Sequence, residues 1–557
     1  MRRSFRFLSL LFAALLVVTS LSGTALAEKE RPAPEPALPS ITDRDGNRLF
    51  DDLESMLTGA SQEARFDVVV RFTGKADAST YAAMADQIGP FTTTHRWDVA
   101  IHGFAASLTR GQILAAARLP FVASVEPDRE VQALLSTATH WTGVNAARTD
   151  YGVDGDRDGN AASYSKTDVV VAVLDTGVDA AHVDLDGGKV IGWYDVINGK
   201  ASAYDDHGHG THVASIVAGT GEGDGVSRGV APGAALVGIK VLDKNGSGST
   251  SGIISGINWM ISNKNTYGIR AANMSLGSSG CSDGTDSLST AVNNAVDNGI
   301  IMLVAAGNSG PAKCTIGAPG AAAKAITVGA SYDPGEKGWA LAEFSSRGPT
   351  ADGRIKPDIV TPGRYINAAR ANSGNGYVVY SGTSMATPFA AGVVALMLDA
   401  DYTLTDSGVK SILYANVEDW GPSGKDVDYG YGMLLAYNAV KAAAGGTGSF
   451  DDGLNHGYAS GSLGGTGESK YYSLSITDAS KPIAITLIIP DWKAGLFGGS
   501  PDFDLYLYNP AGSLVARAEG TKRQETILYQ PSSTGTYTIR VYSYSGSGSF
   551  FFDTSSK

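Results

Sequence analysis

A serine at the start of an apolar helix is the first chemically suggestive feature of the sequence. Ser384 lies in "YSGTSMATP" (380–388), directly before the small-residue run "FAAGVVALMLDA" (389–400). The first turn of a helix presents N–H groups without intrahelical partners, and the macrodipole adds partial positive charge there. Because a negatively charged oxygen is stabilised at such a place, Ser384 is a candidate nucleophile.

Further side chains supply what a serine nucleophile requires. A serine hydroxyl reacts poorly at neutral pH, so it needs an imidazole base and a buried carboxylate that orients the imidazole. Asp175 ends the apolar run "VVVAVL", and His209 lies in "DDHGHGTHVASIVAG" at the predicted start of a helix. Asn308 follows another apolar strand in "AAGNSG", where its amide can donate to an oxyanion beside the backbone N–H of Ser384. These residue types predict acyl transfer through a serine.

The motifs around these residues resemble those of the subtilisin family of serine endopeptidases. "DTG" (175–177), "HGTHVA" (209–214), "AAGN" (305–308) and "GTSMATP" (382–388) follow one another in the family's order. The resemblance implies Asp175 as the orienting acid, His209 as the base and Ser384 as the nucleophile.

Each of these residues also has a simpler interpretation when it is taken alone. The aspartate and the asparagine are ordinary turn residues by type, and His207, His209 and His212 together suggest a metal site. Only His209 begins "HGTH", and no H-E-x-x-H pattern is present. Ser381 is a rival nucleophile, but it lacks the preceding Gly-Thr of Ser384. The coincidence of all the motifs favours the catalytic interpretation.

The resemblance also implies cleft-lining segments that pair with an extended peptide by β-augmentation. They correspond to "SLGSSG" (275–280), which begins with Ser275, Leu276 and Gly277, and to Ala305, Ala306 and Gly307. Glycine at such positions lets a substrate backbone approach closely. Since no charged side chain stands there, we expect a broad preference with an apolar residue before the cleaved bond.

The pattern along residues 136–444 predicts the elements that must position this site. Apolar runs such as "DVVVAVLD", "ALVGIKVLD" and "GIIMLVAAGN" alternate with helix-like segments such as "SGIISGINWMISNKN". Continuous apolar strands separated by helices predict an α/β fold with a parallel sheet covered on both faces. Reacting groups in such sheets collect at the carboxyl ends of the strands.

The N-terminus is expected to be an export signal. A basic start "MRRSFR", an apolar core and Ala25-Leu26-Ala27 predict a secretory signal over 1–27. The apolar run is short for a membrane span, and Arg2-Arg3 leaves the twin-arginine route open beside the general one. We therefore expect a secreted protein that has no membrane contact after signal removal. A Pro-rich link is expected over 28–63.

Residues 64–135 are predicted to form a small α+β unit. Its elements read β-α-β-β-α-β, from "FDVVVRF" to a closing strand "VASVEPDREVQA", which is a split βαβ order. The unit resembles the ferredoxin-like inhibitory propeptide of secreted subtilisins. The resemblance implies an intramolecular inhibitor that is removed by cleavage between Val131 and Trp141. A permanent N-terminal domain is the alternative.

Residues 445–557 are predicted to form an antiparallel β domain. Alternating runs such as "KPIAITLIIP" and "GTYTIRVYSYS" are typical of a sandwich or jelly roll. The stretch "FDLYLYNPAG" resembles the pre-peptidase C-terminal domain of secreted bacterial proteases. The resemblance implies that the domain aids stability, binds a substrate or surface, or is trimmed away.

The net charge excludes some classes of binding partner, and the two cysteines indicate a disulfide. The formal net charge of the 557-residue chain is -13 at pH 7. This charge argues against nucleic acid or an anionic membrane as the main partner, because phosphate binding requires a basic face. Protein substrates and a monomer are expected instead. The two cysteines, Cys281 and Cys314, lie outside the signal, and export favours a disulfide over two free thiols.

Calcium is the ion that the sequence suggests, in a structural role, and no catalytic cofactor is expected. "DGDRDGN" resembles a D-x-D-x-D-G calcium loop whose carboxylates are Asp154, Asp156 and Asp158. Its twelfth position carries serine where the standard loop has glutamate. The family resemblance adds Asp184 in "HVDL", although the partner loop differs, and further candidates are Asp502 and Asp504. A solvated acidic turn is the alternative.

Together these features predict a secreted subtilisin-type serine endopeptidase, made as an autoprocessed precursor that reacts through an acyl-enzyme on Ser384. A sedolisin-like acid protease would need glutamate in place of His209. The alternative from another class is a secreted binding or adhesion protein with an inert protease domain. An altered Ser384, His209 or Asn308 would have favoured that alternative, and all three residues are in place.

Overall fold

The computed structural model describes three folded units. The described residues are 40–41, 43, 46–99, 101–128, 130–133, 141–160, 163–333, 338–448, 450–493 and 500–557. The predicted signal and most of the predicted maturation segment lie outside these residues.

The N-terminal unit is an antiparallel sheet that packs against three helices. Its elements, with two short strands that join the central unit, are β1 (Ser40–Ile41), α1 (Asp51–Leu57), β2 (Arg65–Phe72), α2 (Ala78–Ile88), β3 (Thr93–Trp97), β4 (Gly103–Thr109), α3 (Arg110–Ala116), β5 (Val122–Pro127) and β6 (Glu130–Ala133). Val68, Val70 and Phe104 of the sheet form a core with Met84 of α2 and Ile113 of α3. The strand order β3-β4-β2-β5 confirms the ferredoxin-like prediction.

The predicted closing strand divides into two strands that belong to different sheets. β5 pairs antiparallel with β2, whereas β6 leaves this unit and pairs with strands of the central unit. The prediction of one continuous strand is therefore wrong. Pro127 is the last residue of β5, and proline has no N–H with which to continue a ladder.

The segment predicted as a Pro-rich link contains a helix at its C-terminal end. Leu53 and Leu57 of α1 lie in the same apolar core as β2 and α2. The N–H of Phe50 donates to the carbonyl of Val125 in β5 at 3.1 Å. Because these apolar side chains are buried against the sheet, the folded unit begins before residue 64.

The central unit is built on a nine-stranded sheet. Its strands, with the shorter ones outside that sheet, are β7 (Val170–Asp175), β8 (Val190–Asp195), β9 (Ala235–Lys240), β10 (Ser247–Ser249), β11 (Ile269–Met274), β12 (Leu276–Gly277), β13 (Cys281–Ser282), β14 (Ile301–Ala305), β15 (Ile326–Ser331), β16 (Ile359–Pro362), β17 (Ile366–Ala369), β18 (Tyr377–Tyr380), β19 (Val417–Glu418) and β20 (Met433–Leu434). The order is β19-β20-β16-β15-β14-β11-β7-β9-β8, with β19 antiparallel to β20 and the other pairs parallel. The predicted α/β class is confirmed.

Helices cover both faces of this sheet. They are α4 (Val144–Tyr151), α5 (His209–Ala218), a 3₁₀ turn (Gly225–Ser227), α6 (Thr250–Tyr267), α7 (Ser287–Asp297), α8 (Thr383–Ala400), α9 (Asp406–Ala415) and α10 (Ala436–Ala443). Along β7, Val171 and Val173 pack toward α5 and α8, and Val170, Ala172 and Leu174 pack toward α6 and α7. Since successive strand residues face opposite sides, a strand covered on both faces must be apolar throughout.

Helix α8 is the central helix of the unit. Its 18 residues are apolar enough to cross a membrane by length and composition, but 89% of them are buried inside the protein. It is therefore a core helix, and its N-terminus lies at the carboxyl edge of the sheet.

The C-terminal unit is a sandwich of two four-stranded antiparallel sheets. Its strands are β21 (Asn455–Leu463), β22 (Ser469–Ile476), β23 (Ile483–Ile488), β24 (Asp502–Tyr508), β25 (Leu514–Ala518), β26 (Gln524–Tyr529), β27 (Gly535–Ser545) and β28 (Gly548–Ser556). The sheet orders are β21-β28-β23-β26 and β22-β27-β24-β25. Leu487 and Phe552 of one sheet pack against Leu505 and Ile539 of the other. The predicted antiparallel sandwich is confirmed.

An apolar cluster joins the C-terminal unit to the central unit. Trp420, Tyr429 and Met433 of the central unit share one buried cluster with Ile488 and Phe551 of the sandwich. The ring of Trp420 also stacks on His456 of β21, with ring centroids 4.4 Å apart. Because side chains from both units complete this cluster, separating the units would expose large aromatic surfaces.

Candidate active site

Asp175 and His209 form a buried pair at the carboxyl edge of the sheet. Asp175 is the last residue of β7 and His209 is the first residue of α5, and both are fully buried. The Nδ1 of His209 lies 2.6 Å from Oδ1 of Asp175. Because a carboxylate only accepts, this contact places the imidazole proton on Nδ1 and leaves Nε2 with a lone pair.

The close approach of the two turns depends on a glycine. A Cβ on Gly210 would lie 2.1 Å from the carbonyl oxygen of Gly177 and 3.1 Å from Cβ of Asp175. Any larger residue would push α5 away from the end of β7. The "HG" of "HGTH" therefore keeps the imidazole within reach of the carboxylate.

Asp205 holds the start of α5 and is a positioning residue that the sequence reasoning missed. Its carboxylate accepts from the N–H groups of Gly208 and Thr211 at 2.8 and 2.9 Å, and from the hydroxyl of Thr176 at 2.9 Å. Burial alone would raise its pKa, but these hydrogen bonds outweigh burial and lower it. An acidic residue shortly before a helix start was the available signal.

Ser384 lies in the first turn of α8, also fully buried. Its hydroxyl donates to the carbonyl of Ser275 at 3.0 Å, and the hydroxyl of Ser275 donates to the carbonyl of Ser384 at 2.6 Å. Pro388 explains the second bond. In a helix, residue 388 would donate to the carbonyl of Ser384, but proline has no N–H, so that carbonyl is available to Ser275. The reciprocal bonds fix the serine against one wall of the cleft.

Asn308 is tied to the same helix start. Its Oδ1 accepts from the backbone N–H and the hydroxyl of Thr383, at 2.9 and 3.0 Å. A backbone N–H can only donate, so the atom facing Thr383 must be the amide oxygen. The Nδ2 donor of Asn308 is therefore directed away from Thr383.

The other histidines of the predicted cluster have structural contacts. Nε2 of His212 lies 3.0 Å from the carbonyl of Val378, and burial lowers the pKa of His212 to about 3. Nδ1 of His207 accepts from the N–H of His209 at 3.3 Å. Ser381, the rival nucleophile, is exposed before α8 begins. In the described part of the chain these histidines form no metal-binding group.

A three-stranded sheet lies across the front of the site. β6 occupies its middle, with β10 on one side and β12 on the other, and both pairings are antiparallel. Gln132 lies opposite Ser247 and Gly277, and Ala133 lies opposite Leu276. This is the arrangement of a peptide added to two strand edges.

One wall of this sheet was predicted and the other was not. The predicted Leu276 and Gly277 pair with β6, but Ala305–Gly307 do not. Ala306 donates instead to Val328 at 3.0 Å, and Gly307 donates to the hydroxyl of Thr383 at 3.2 Å, because these residues complete the central sheet and the Ser384 turn. The second wall is Ser247–Ser249, for which the glycine and serine run "NGSGSTSG" was the only sequence signal.

The N-terminal unit is fastened to two helices beside this sheet. Glu126 accepts from the N–H of Ser287, the first residue of α7. Asp128 accepts from the N–H of Ser251 in the first turn of α6 at 2.8 Å, and it also binds the Ser251 hydroxyl. Carboxylates at helix N-termini satisfy unpaired N–H groups and complement the helix dipole. The two carboxylates therefore hold the N-terminal unit in the position in which β6 lies across the site.

Cys281 and Cys314 form the predicted disulfide, with Cα atoms 5.0 Å apart. The bond joins β13, which follows the cleft wall β12, to the loop that follows Asn308. It therefore connects two segments that border the site.

The remaining acidic candidates divide into three cases. Asp184 is buried, and its carboxylate accepts from Tyr377 at 3.0 Å and from Gly223 at 3.3 Å. Asp502 and Asp504 are buried in β24 and have partners within the protein. In the "DGDRDGN" loop the structure groups Asp156 and Asp158 with Asp168, not with the predicted Asp154.

Three family models match this chain. The model described as "Subtilase family" matches residues 166–432, "Peptidase inhibitor I9" matches 71–134, and "Bacterial pre-peptidase C-terminal domain" matches 468–543. The matches follow the three folded units.

Individual proteins similar to this chain give the same result. The chain is 40% identical to the serine protease AprX of Bacillus subtilis (strain 168) over 335 residues, which is 56% of this chain and 73% of that protein. It is 32% identical to the alkaline serine exoprotease A of Vibrio alginolyticus over 471 residues, 81% of this chain and 80% of that protein. It is 38% identical to subtilisin E of Bacillus subtilis over 288 residues, 51% of this chain and 68% of that protein.

Proposed function

Because the chain belongs to the subtilase family of serine endopeptidases, we propose that Asp175, His209 and Ser384 are its catalytic triad and that Asn308 completes an oxyanion site. The observation that carries the proposal is the buried 2.6 Å contact between His209 and Asp175 at the sheet edge where the first turn of α8 carries Ser384. A buried, oriented imidazole and a serine in the first turn of a helix are what acyl transfer requires.

The proposed reaction uses these side chains in turn. Asp175 holds Nδ1–H, and the Ser384 hydroxyl turns from the carbonyl of Ser275 toward Nε2 of His209. Nε2 then takes the hydroxyl proton while the oxygen of Ser384 attacks the peptide carbonyl. The carbonyl oxygen becomes an anion that the N–H of Ser384 and the amide of Asn308 stabilise. His209 then gives its proton to the leaving amine, and an acyl-enzyme remains on Ser384. Water repeats the sequence and releases the acid.

We further propose that the precursor is secreted, inhibited by its own N-terminal unit and matured by self-cleavage. β6 supports the inhibition, because it occupies the sheet position that a substrate peptide would take between β10 and β12. The signal pattern over 1–27 and the pre-peptidase C-terminal match support secretion.

The direct test of the function is protein hydrolysis by the purified, matured chain. We expect casein to be hydrolysed, and a serine-directed covalent inhibitor should abolish the activity. Labelling should be confined to Ser384, as peptide mapping would show. A matured wild type without activity would favour the binding-protein alternative, and hydrolysis that the inhibitor does not change would contradict a serine mechanism.

Replacing Asn308 with alanine should lower kcat while leaving KM nearly unchanged. The Nδ2 donor contacts an oxygen that carries charge only in the transition state, so the loss falls on the chemical step. In subtilisin, removal of the corresponding amide lowers kcat by about 10²–10³-fold, and a decrease in the same range is expected here. Steady-state kinetics on a peptide substrate checks this.

Asn298→Ala provides the matched control for that measurement. Asn298 is an exposed residue after α7, and its side-chain amide donates to the carbonyl of Asn294 at 2.8 Å. Its kinetics should equal those of the wild type. A rise in KM with unchanged kcat for Asn308→Ala would contradict a role in the transition state.

The maturation cut should fall just after β6. Ala133 pairs with Leu276, and the next residue of that wall, Ser275, accepts the hydroxyl of Ser384 at 3.0 Å. A peptide held in the register of β6 therefore presents the bonds that follow Ala133 to the nucleophile. We expect cleavage within Leu134-Leu135-Ser136, which N-terminal sequencing of the matured protein checks. A new N-terminus beyond Trp141 would contradict this register.

A further inference from the structure

We infer that Arg523 of the C-terminal sandwich is a positioning residue for Asn308, an inference that rests on the oxyanion role proposed above for Asn308. Arg523 lies directly before β26, and its Nη1 donates to the carbonyl of Pro311 at 3.3 Å. Pro311 stands three residues beyond Asn308, in the segment over 308–315 that we call the Asn308 loop. The sandwich therefore contacts the segment that carries a proposed reacting group.

The Asn308 loop runs along a second segment of the central unit, residues 344–348, which we call the support segment. The N–H of Ser309 donates to the hydroxyl of Ser346 at 3.1 Å, and the N–H of Gly310 donates to the carbonyl of Phe344 at 2.9 Å. The approach is close, since a Cβ on Gly310 would lie 2.0 Å from the carbonyl oxygen of Ser345. The position of the loop thus depends on the position of the support segment.

Arg347 of the support segment is held by the sandwich. Its backbone carbonyl accepts from the N–H of Thr315 at 2.9 Å, so its main chain takes part in the contact with the Asn308 loop. Its buried side chain donates to Gln524 of β26 at 2.7 Å and lies 3.3 Å from Asp428. Asp428 is bound in turn by Arg523. The neighbouring residues Arg523 and Gln524 therefore hold both the loop and its support segment.

The contacts of Arg523 require the shape of a guanidinium. Its two terminal nitrogens bind Asp428, and one of them also donates to Pro311, so one planar group fixes the carboxylate and the loop together. A lysine ammonium would keep the positive charge opposite Asp428, but it is a single point donor on a shorter side chain. Arg523→Lys therefore separates the support of the loop from the neutralisation of the carboxylate.

Kinetics of the matured Arg523→Lys protein test the inference. We expect kcat to fall about tenfold with KM nearly unchanged, because a misplacement of about 1 Å at a reacting group can cost about 10²-fold. The loss falls on kcat because Asn308 stabilises charge that is present only in the transition state. Steady-state kinetics on a peptide substrate measures this, with the enzyme concentration fixed by active-site titration.

A double-mutant cycle shows whether Arg523 acts through Asn308. In the Asn308→Ala background, Arg523→Lys should leave kcat within about twofold, since the donor that it positions is already absent. A further loss of about tenfold in that background would overturn the positioning role. Wild-type kcat for Arg523→Lys, beside a reduced kcat for Asn308→Ala, would overturn that role alone. Wild-type kcat for Asn308→Ala would contradict the oxyanion site and the inference with it.

Phe551→Leu is the matched control for a general loosening of the two units. Phe551 belongs to the buried apolar cluster that joins them, so its substitution weakens the same interface through packing. Its kcat and KM should equal those of the wild type. An equal fall in kcat for Phe551→Leu and Arg523→Lys would show that any weakening of the interface has this effect, and it would overturn the specific role of Arg523.

Hydrogen exchange gives a second measurement, which does not require maturation. In the Ser384→Ala background, the N–H groups of Gly310 and Thr315 should exchange faster after Arg523→Lys, because the loop that they anchor has lost a support. After Phe551→Leu they should exchange as in the parent. Unchanged exchange of both N–H groups in Arg523→Lys would overturn the inference, whether or not that variant matures.

Discussion

The Ser384→Ala protein is expected to remain a full-length precursor without peptidase activity. Removal of the hydroxyl leaves His209 and Asn308 in place but eliminates the atom that attacks the carbonyl. In subtilisin, loss of the nucleophile costs roughly 10⁶-fold in kcat, and that enzyme sets the magnitude expected here. Intact mass spectrometry of the purified chain and peptide hydrolysis measure the two effects.

Ser381→Ala is the matched control for this variant. Ser381 lies three residues before Ser384 and is exposed, so its variant should mature and hydrolyse peptides normally. A trace of matured wild type added to the Ser384→Ala precursor should cut it after β6 and show that the precursor is folded. Normal self-processing of Ser384→Ala, or its loss in Ser381→Ala, would contradict the assignment.

The second large effect is expected at a buried charge cluster between the central and C-terminal units. Arg523 of the sandwich binds Asp428 through its two terminal guanidinium nitrogens, and Arg347 lies 3.3 Å from the same carboxylate. Arg523 and Asp428 are each 1% exposed, and Arg347 is fully buried. Burial alone would raise the pKa of Asp428, but the two guanidinium groups outweigh it and hold that pKa below its usual value.

Asp428→Asn should therefore destabilise the protein strongly. The substitution leaves two buried guanidinium groups without a counter-charge, which typically costs about 3–5 kcal/mol. Arg347 also donates to Gln524 of β26 at 2.7 Å, so the loss should loosen the interface between the units. Denaturant unfolding in the Ser384→Ala background, followed by tryptophan fluorescence, measures the free energy, because Trp420 lies in the shared cluster.

Asp297→Asn is the matched control for the charge cluster. Asp297 pairs with Lys324, and both side chains are about half exposed, so the substitution should cost only about 0–1 kcal/mol. Limited proteolysis should release the C-terminal unit from Asp428→Asn through cleavage near residues 445–454, but not from the control. Equal unfolding free energies for the two variants would show that the cluster does not hold the units together.

Sequence reasoning identified the features that local patterns encode. The runs around Asp175 and Asn308 are apolar without alternation, and this pattern predicts strands buried on both faces, as β7 and β14 are. "HGTH" and "GTSMATP" predict helix starts, and α5 and α8 begin with them. Each of these features depends on residues that are close together in the sequence. It can therefore be predicted from a short segment without knowledge of the rest of the chain. The catalytic roles of these residues stay predictions.

Features that depend on distant partners were missed. The second cleft wall, Ser247–Ser249, is recognised only through its pairing with β6, a strand that is far from it along the chain. Asp168 joins Asp156 and Asp158 only because the loop turns back before β7. The order of strands and the path of loops between them are set by packing of the whole chain.

The charge cluster between the units shows the same limit. Asp428, Arg347 and Arg523 are unremarkable in the sequence, and they become one buried group only when the sandwich docks on the central unit. The sequence by itself determined the element types, the class of the three units and the candidate reacting groups, because short-range patterns and motifs carry that information. The tertiary structure alone decided which strand edges receive a peptide and which charges meet, because those contacts join residues that are far apart along the chain.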